Sequence, residues 1–318
     1  MGEFDLIRRY FDPVAREQGH PNLRLALGDD CAILRVPPGR DLVFSMDTLV
    51  EGVHFPRAYP AERLAWRALA AAASDLAAMG ADPVCFTLAL TIPRSEERWL
   101  AAFAQGLSEA ARSFGLALAG GDTTRGPLTV TLQVQGTVPQ DQALRRDGAA
   151  VGDLIVVSGT LGDAAAALAY LDERSPSEDA RALLARYHRP VPRLALGQAL
   201  RGIASAAIDV SDGLGADLQH LLSRSGVGAC LDLSQLPLSP ALRRCRGPEA
   251  SHLAWCGGDD YELCVTLPET GWHRLAPAVR AQLTPIGRVE SKPGLRFQEG
   301  TPEPDGSAGF DHFRSEDG

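Results

Sequence analysis

The stretch 61–92, AERLAWRALAAAASDLAAMGADPVCFTLALTI, carries the pattern that decides the fold. Its first part, 61–79, is rich in small helix-forming residues and predicts a helix; Gly80 is placed to cap the carboxyl end, and Pro83 prevents continuation. The apolar segment 84–92 then predicts a strand. Because an alanine-rich face allows a close approach, we expect the helix to pack tightly on a sheet.

The rest of the first half predicts a second helix and more strands. The helix covers 95–114, with Ser95 as its N-cap, acidic residues in its first turn and Gly115 at its end. Strands are predicted at 23–36, 41–50 and 128–138.

The second half of the chain also predicts strands interleaved with helices. The chain of 318 residues is long enough for two domains, because single cores stop growing near about 250–300 residues. A turn at 145–148 precedes the restart, so we predict domains 1–148 and 149–318. Strands are predicted at 153–159, 206–210, 228–233, 261–267 and 285–289, and helices at 163–173, 214–225 and 269–281. Since strict βα alternation is missing, we expect an α/β fold with mixed α+β sheets in each half.

Composition and charge argue against several classes of protein. Apolar residues make up 45% and charged residues 22%, as in ordinary globular proteins, and a formal net charge of −9 argues against nucleic acid or anionic membrane as a partner. The N-terminus MGEFDLIRRYF lacks a signal pattern, and no apolar run approaches 18 residues, so we expect a cytoplasmic protein. The six cysteines form no CxxC pair, which argues against a zinc site and a disulfide framework.

Aspartates recur at the ends of the predicted elements. Nine occupy such positions: Asp29, Asp30, Asp47, Asp75, Asp122, Asp209, Asp212, Asp259 and Asp260. Carboxylates at about 4 Å repel by about 4 kcal/mol at an effective dielectric near 20, so their convergence would require cations. Oxygen ligands suit Mg²⁺, which commonly adds phosphate oxygens of a substrate. The alternative for any single aspartate is a turn or a helix cap.

Asp75 differs from the other aspartates because it lies inside the alanine-rich helix. An acid there is unfavourable for helix propensity and, if it points inward, for desolvation. We therefore expect a metal ion or a hydrogen-bond donor to meet its carboxylate.

Two glycine-containing stretches could approach a phosphate. In 119–124, AGGDTT, the glycines let backbone N–H groups come close to a phosphate, and Asp122 could hold its magnesium; the alternative is a common turn. In 209–213, DVSDG, two acids flank Ser211 just before a helix N-terminus, the end that favours phosphate. The alternative there is an ordinary helix cap.

The common signatures of nucleotide and hydrolytic sites are missing. The sequence contains no GxxxxGK[ST], and GLGADL at 213–218 lacks the third glycine of the dinucleotide fingerprint. HExxH and GxSxG do not occur either, which argues against a metalloprotease and a hydrolase elbow.

Eight motifs, in order along nearly the whole chain, resemble thiamine-monophosphate kinases. They are GDDCAIL at 28–34, SMDTLVEGVHF at 45–55, SDLAAMGADP at 74–83, AGGDTT at 119–124, RRDGA at 145–149, DVSDGL at 209–214, GGDDYEL at 257–263 and GFDHF at 309–313. The resemblance implies the two-domain fold shared with aminoimidazole ribonucleotide synthetase, with N-terminal domains that pair in a homodimer. It also implies ATP-dependent phosphorylation of thiamine monophosphate to thiamine diphosphate.

The resemblance also implies roles for individual residues. Several Mg²⁺ ions would be held by Asp30, Ser45, Met46 through its backbone, Asp47, Asp75, Asp122, Asp209 and Asp212. ATP would contact Gly121, Asp122, Arg146 and Ser211, with Asp47, Asp122 and Arg146 as the catalytic set. Thiamine monophosphate would contact His54, Asp259 and Phe310. The family usually has Glu where this chain has Asp259.

The implied reaction needs no covalent step and no general base, because the acceptor phosphate oxygen is already anionic. Repulsion between two polyanions is the main obstacle, and Mg²⁺ with Arg146 can screen it while the reacting oxygens stay in line. Two rival functions stay open at this point: a sister enzyme of the same superfamily with another acceptor, and a non-catalytic Ca²⁺- or nucleotide-binding protein.

Overall fold

A computed structural model gives the structure of the protein and describes residues 2–298. The chain divides into two units, one that ends at Ala143 and one that begins at Leu144. The boundary expected from sequence, near residue 148, lies a few residues after this division. Each unit has its own sheet.

The described residues of the amino-terminal unit form four helices, six strands and one π-helical turn. Its strands are β1 Leu23–Leu25, β2 Ile33–Leu34, β3 Arg40–Val50, β4 Asp82–Ile92, β5 Ala117–Arg125 and β6 Thr129–Pro139. Its helices are α1 Glu3–Leu6, α2 Asp12–Glu17, α3 Ala61–Ala78 and α4 Glu97–Phe114, and the π-helical turn Ile7–Phe11 joins α1 to α2.

The main sheet of this unit has the strand order β3-β6-β4-β5. The pairs β3–β6 and β4–β6 are antiparallel, and β4–β5 is parallel. Helix α3 packs on this sheet and against α4, and all of its alanines are buried, as its small residues predict. Gly80 follows the helix with φ +63°, in the left-handed region that the cap requires.

Two predictions for this unit were wrong. The segment 23–36 is not one strand but two short antiparallel strands, β1 and β2, because the chain turns between them at Gly28, where φ is +118°. Ser95 is not the N-cap of α4: Glu96 precedes the helix, which begins at Glu97 without a side-chain cap. Gly115 ends it in the left-handed conformation, as predicted.

The carboxy-terminal unit has a six-stranded sheet and eight helices among the described residues. Its strands are β7 Leu154–Ser158, β8 Ala206–Val210, β9 Gly228–Leu231, β10 Glu262–Leu267, β11 Leu283–Glu290 and β12 Gly294–Phe297. Its helices are α5 Asp163–Ala167, α6 Glu178–His188, α7 Leu194–Leu200, α8 Leu214–Ser225, α9 Pro240–Arg246, α10 Ala250–Cys256, α11 Glu269–Arg274 and α12 Pro277–Arg280.

The described strands of this unit form a sheet with the order β12-β9-β11-β7-β10-β8, and among them only the β9–β12 pair is parallel. Its core includes Ile155, Val157, Ile208, Leu218 and Leu222. Mixed strand directions in both units confirm the predicted fold class. The helix predicted at 269–281 is two short helices, because Pro277 lacks an N–H group and starts a new helix.

Within 2–298, no helix is both long and apolar enough to cross a membrane.

Candidate functional site

The first candidate residues lie where β3 passes the end of α3. Ser45 Oγ donates a hydrogen bond to Asp75 Oδ2, so a donor meets the acid inside the alanine-rich helix, as expected. Because side chains alternate along a strand, Asp47 lies on the same face of β3 as Ser45, and the Met46 side chain lies on the opposite face. The Met46 side chain, which is 63% exposed, faces away from Ser45 and Asp47, so only its backbone could bind a metal ion together with them.

The sheet separates Asp47 from Asp122. Across the strands, Asp47 is opposite Leu132, Leu132 is opposite Leu88, and Leu88 is opposite Gly121, the residue before Asp122. Since β3 and β5 are the two edge strands, three inter-strand spacings, about 14 Å, lie between the two positions. The sheet register alone therefore does not bring these two acids together.

The stretch 119–124 lies in edge strand β5 and is not the common turn that was the alternative. A Cβ atom on Gly121 would stand 2.0 Å from the carbonyl oxygen of Leu88, so only glycine fits against β4 at this position. One side of an edge strand has no partner strand, and its backbone N–H groups can face a ligand. Beside this strand is an open depression of about 570 Å³, lined by Thr123, Thr124 and Arg125 among others.

His54 follows β3 and is held by its surroundings. Its Nδ1 accepts a hydrogen bond of 2.9 Å from the backbone N–H of Val50, and its carbonyl oxygen accepts one of 3.4 Å from the buried Arg67. In the neutral imidazole this arrangement places the ring proton on Nε2, which is then a donor.

Two motif stretches of the carboxy-terminal unit are joined by backbone hydrogen bonds. The amide of Asp259 donates to the carbonyl oxygen of Ser211, and the amide of Tyr261 donates to that of Val210, both at 2.8 Å. A Cβ atom on Gly258 would lie 2.5 Å from the Ser211 oxygen, so the close approach needs a glycine there. Sequence positions 209–213 and 257–262 thus form one corner of this unit.

Asp259 adopts a left-handed conformation with φ +68°, which aspartate tolerates better than most residues. Tyr261 also has a positive φ, +51°, and its hydroxyl donates a 2.8 Å hydrogen bond to Asp259 Oδ1. This strained pair fixes the direction of the Asp259 carboxylate, the predicted substrate contact.

Asp217, in the first turn of α8, is a residue that sequence reasoning missed. Its Oδ2 accepts hydrogen bonds from the backbone amides of Ser211, at 3.0 Å, and Asp212, at 3.1 Å. Burial first, and then the nearby charges of Asp209 and Asp212, raise the pKa of Asp217 to about 7. The sequence does contain a signal for this role, because Asp217 is an acid on an otherwise apolar helix face, one turn after the acidic stretch 209–213.

Behind this corner is a buried ionic network that was also missed. The fully buried Glu262 accepts hydrogen bonds from Ser158, Arg186 and Arg193. Asp260 accepts a 2.7 Å hydrogen bond from the amide of Gly162, and burial raises the pKa of its carboxyl well above the usual range. The acids of GGDDYEL therefore differ in environment: Asp259 is half-buried, and the other two are inside.

The remaining predicted residues are on the surface or outside the described part. Asp30 is exposed in the turn between β1 and β2, where its amide donates to Asp29 Oδ1 at 2.8 Å. Arg146 is exposed, and its carbonyl oxygen accepts a 2.8 Å hydrogen bond from Ser225 Oγ. Phe310 lies outside the described residues.

The chemistry of the predicted oxygen ligands agrees with Mg²⁺ binding. Among the residues that the structure describes, no three or more His, Cys, Asp or Glu side chains come together as a metal site. The predicted ligands are oxygen donors, and Asp209 and Asp212 lie close enough to Asp217 to raise its pKa. Since Mg²⁺ commonly takes one or two carboxylates and completes its shell with water and phosphate oxygens, this donor set fits Mg²⁺.

Comparison with known proteins gives the family. Residues 28–138 match the model of AIR synthase related protein, N-terminal domain. A thiamine-monophosphate kinase of Salmonella typhimurium is 48% identical over 323 aligned residues, which cover 98% of each chain. The chain belongs to the thiamine-monophosphate kinase family. The family resemblance predicted from the sequence is thereby confirmed.

Solved structures of thiamine-monophosphate kinases share the fold. The crystal structure from Stenotrophomonas maltophilia K279a has a TM-score of 0.84 and 44% identity, and the match covers 93% of this chain and 96% of that one. The structure of AaThiL complexed with AMPPCP and TMP has a TM-score of 0.80 and 31% identity, and covers 98% and 96%.

Proposed function

We propose that this protein transfers the terminal phosphoryl group of ATP to thiamine monophosphate and forms thiamine diphosphate. The observation that carries the proposal is the match to AaThiL, a relative complexed with AMPPCP and TMP, over 98% of this chain. The corner formed by 209–213 and 257–262 supports it, because backbone hydrogen bonds join the stretch that carries Asp209, Ser211 and Asp212 to the stretch that carries Asp259. These are the residue types needed to bind a metal-bound nucleotide and a cationic substrate.

Mg²⁺ ions would be held by oxygen donors in each unit. In the amino-terminal unit the donors would be Asp30, Ser45, the Met46 backbone, Asp47, Asp75 and Asp122, and in the carboxy-terminal unit Asp209 and Asp212. When bound, Mg²⁺ neutralises the charge of phosphate oxygens in the nucleotide and the acceptor.

The phosphates of ATP would lie against backbone and cationic groups of the chain. Backbone N–H groups of edge strand β5 near Gly121 and the hydroxyl of Ser211 would donate hydrogen bonds to them, and the exposed Arg146 would add positive charge. For thiamine monophosphate, His54 Nε2 is a suitable donor to the phosphate. Asp259 and Phe310 suit the thiazolium cation, by charge and by an aromatic face.

We further propose direct in-line transfer. A phosphate oxygen of thiamine monophosphate forms a bond to the γ-phosphorus as the bond between that phosphorus and the bridging oxygen of ADP breaks. No side chain needs to remove a proton, because the attacking oxygen is anionic. Asp47, Asp122 and Arg146 would act through charge and position.

The homodimer expected for the family has a candidate surface on edge strand β3. Leu42, Phe44 and Met46 alternate along it and are 40%, 65% and 63% exposed, so they form an apolar stripe on one face. An exposed apolar patch of this kind marks an interaction surface. A second copy of the chain is the proposed occupant, and light scattering with Phe44→Asp tests it: the particle mass should fall to that of one chain. The cytoplasmic location stays a prediction.

A panel of acceptors tests the proposed function. Purified protein with ATP and Mg²⁺ should release ADP rapidly with thiamine monophosphate, and slowly with thiamine or without acceptor. ADP release that does not depend on thiamine monophosphate would contradict this acceptor, and binding of ATP with no ADP release in any mixture would contradict the proposed transfer. ATP with a chiral γ-phosphoryl group should give inverted configuration, and retention would rule out a single in-line step.

A further inference from the structure

One peptide plane, between Ser211 and Asp212, is held from both sides. Its carbonyl oxygen, on Ser211, accepts the hydrogen bond from the amide of Asp259 at 2.8 Å. Its N–H group, on Asp212, donates to Asp217 Oδ2 at 3.1 Å, and the same oxygen also accepts from the Ser211 amide at 3.0 Å. Asp217 therefore fixes the orientation of two consecutive amides in the acidic loop, and through them the contact with Asp259.

An ordinary helix cap does not account for this carboxylate. Helix α8 begins after Gly213, which has no side chain for capping, and Asp217 reaches back past it to residues before the helix. The first turn favours negative charge. Asp217 is only 3% exposed, so its carboxylate lies inside the unit against the acidic loop and not in solvent.

We propose that Asp217 is a positioning residue for the magnesium–nucleotide site: it holds the Ser211–Asp212 peptide so that Asp209, Ser211 and Asp212 present their oxygens to the ligand. This inference rests on the proposed function. Asp217 acts through its two backbone hydrogen bonds and does not itself bind the metal ion. Partners that orient metal ligands typically change metal affinity by about 10- to 100-fold when removed.

Two substitutions at this position separate positioning from charge. Asp217→Ala removes the acceptor, whereas Asp217→Asn keeps an oxygen that can accept from both amides. Asp153→Ala is the matched control, because Asp153 is also a buried acid of this unit but lies away from the acidic loop. Its carboxylate accepts a 2.9 Å hydrogen bond from the amide of Ala150 and a second one from the hydroxyl of Ser205.

The first readout is hydrogen exchange of the amides of Ser211, Asp212 and Asp259 without nucleotide. We expect faster exchange at all three in Asp217→Ala, wild-type rates in Asp217→Asn, and no change there in Asp153→Ala. The second readout is the Mg²⁺ concentration for half-maximal turnover, which should rise about 10-fold or more in Asp217→Ala alone. Thermal stability of each variant is measured alongside, because a merely structural role would lower stability without moving the Mg²⁺ requirement.

Three results would overturn the proposal. Equal loss of Mg²⁺ affinity in Asp217→Asn and Asp217→Ala would make Asp217 a direct ligand. An unchanged Mg²⁺ requirement in Asp217→Ala would show that Asp217 acts only as a structural cap. Unchanged amide exchange in Asp217→Ala would show that Asp217 does not hold the acidic loop in position. If the wild type does not act on thiamine monophosphate, the proposed function fails, while amide exchange still decides whether Asp217 holds the loop.

Discussion

The backbone amide of Asp259 donates a 2.8 Å hydrogen bond to the carbonyl oxygen of Ser211. This contact joins two sequence motifs that are far apart in the chain, one with the predicted metal ligands Asp209 and Asp212 and one with the predicted substrate acid. Both motifs lie at one end of the adjacent strands β8 and β10. The carboxy-terminal unit therefore fixes this part of the site before any ligand binds, which reduces the entropy lost on binding.

The first prediction concerns the acids of the amino-terminal sheet. Asp47→Asn and Asp122→Asn should each lower turnover of thiamine monophosphate at least about 100-fold, because a lost preorganised charge contact costs roughly 3 kcal/mol. Steady-state kinetics at saturating Mg²⁺ measures this effect. Asp41→Asn, an exposed acid on β3 outside the predicted set, is the control and should keep wild-type turnover. Near-normal rates in either variant would contradict the assignment.

The second prediction is that Asp75 binds a metal ion and is not required for folding. Asp75 lies in the last turn of α3, where the helix dipole disfavours an acid by about 0.3 to 1 kcal/mol. Asp75→Asn keeps an acceptor for Ser45 and should keep or raise the melting temperature without ligand. Added Mg²⁺ and ATP should no longer stabilise this variant.

The control for Asp75 is Glu62→Gln, which removes an exposed acid from the first turn of the same helix. This variant should retain the full ligand-induced rise in melting temperature. The same full rise in Asp75→Asn would show that Asp75 is structural.

The third prediction follows from the raised pKa of Asp260. A carboxyl whose folded-state pKa is raised contributes stability below its unfolded pKa, about 3.9, and loses that contribution as the pH rises through the folded value. Asp260→Asn is neutral at every pH and keeps an acceptor for the Gly162 amide. The free energy of unfolding of the variant, relative to wild type, should therefore rise from pH 4.5 to pH 7.5.

Urea denaturation at several pH values measures this difference. Asp172→Asn, an exposed acid, should show no such trend. A flat difference for Asp260→Asn across the same range would mean that its carboxyl ionises normally in the folded protein.

The fourth prediction concerns Phe310, in the terminal GFDHF motif. An aromatic face near the thiazolium cation contributes about 0.5 to 2 kcal/mol, so Phe310→Ala should raise the KM for thiamine monophosphate roughly 3- to 30-fold with little change for ATP. Phe313→Ala, in the same motif, should affect the KM less. Equal weakening of both substrates, or a large loss of stability without ligand, would place Phe310 in the core.

The local sequence pattern was sufficient to predict many of the helices and strands. The apolar run 84–92 and the alanine-rich segment 61–79 correspond to β4 and α3, and AAIDV at 206–210 is β8 in full. Each of these segments has a strong pattern and a clear stop signal. The failure at 23–36 has a local cause too, since Gly28 and the acids after it form a turn that divides the apolar run.

Other features depend on contacts that sequence pattern does not contain. The stretch 119–124 becomes a strand because β4 pairs with it in parallel, although its glycines are poor strand formers. The joining of 209–213 to 257–262, the left-handed Asp259 and the reach of Asp217 all depend on tertiary structure. Family resemblance predicts roles for Ser211, Asp212 and Asp259, but it does not predict that a single peptide plane links their backbones.

The central claim is that the terminal phosphoryl group of ATP reaches thiamine monophosphate. The most direct measurement uses ATP labelled in its γ-phosphoryl group, with Mg²⁺ and thiamine monophosphate, and separates the products by chromatography. We predict labelled thiamine diphosphate in equal amount to the ADP formed, and none when Mg²⁺ is chelated. ADP formation with the label in free phosphate, and no labelled thiamine diphosphate, would contradict the account.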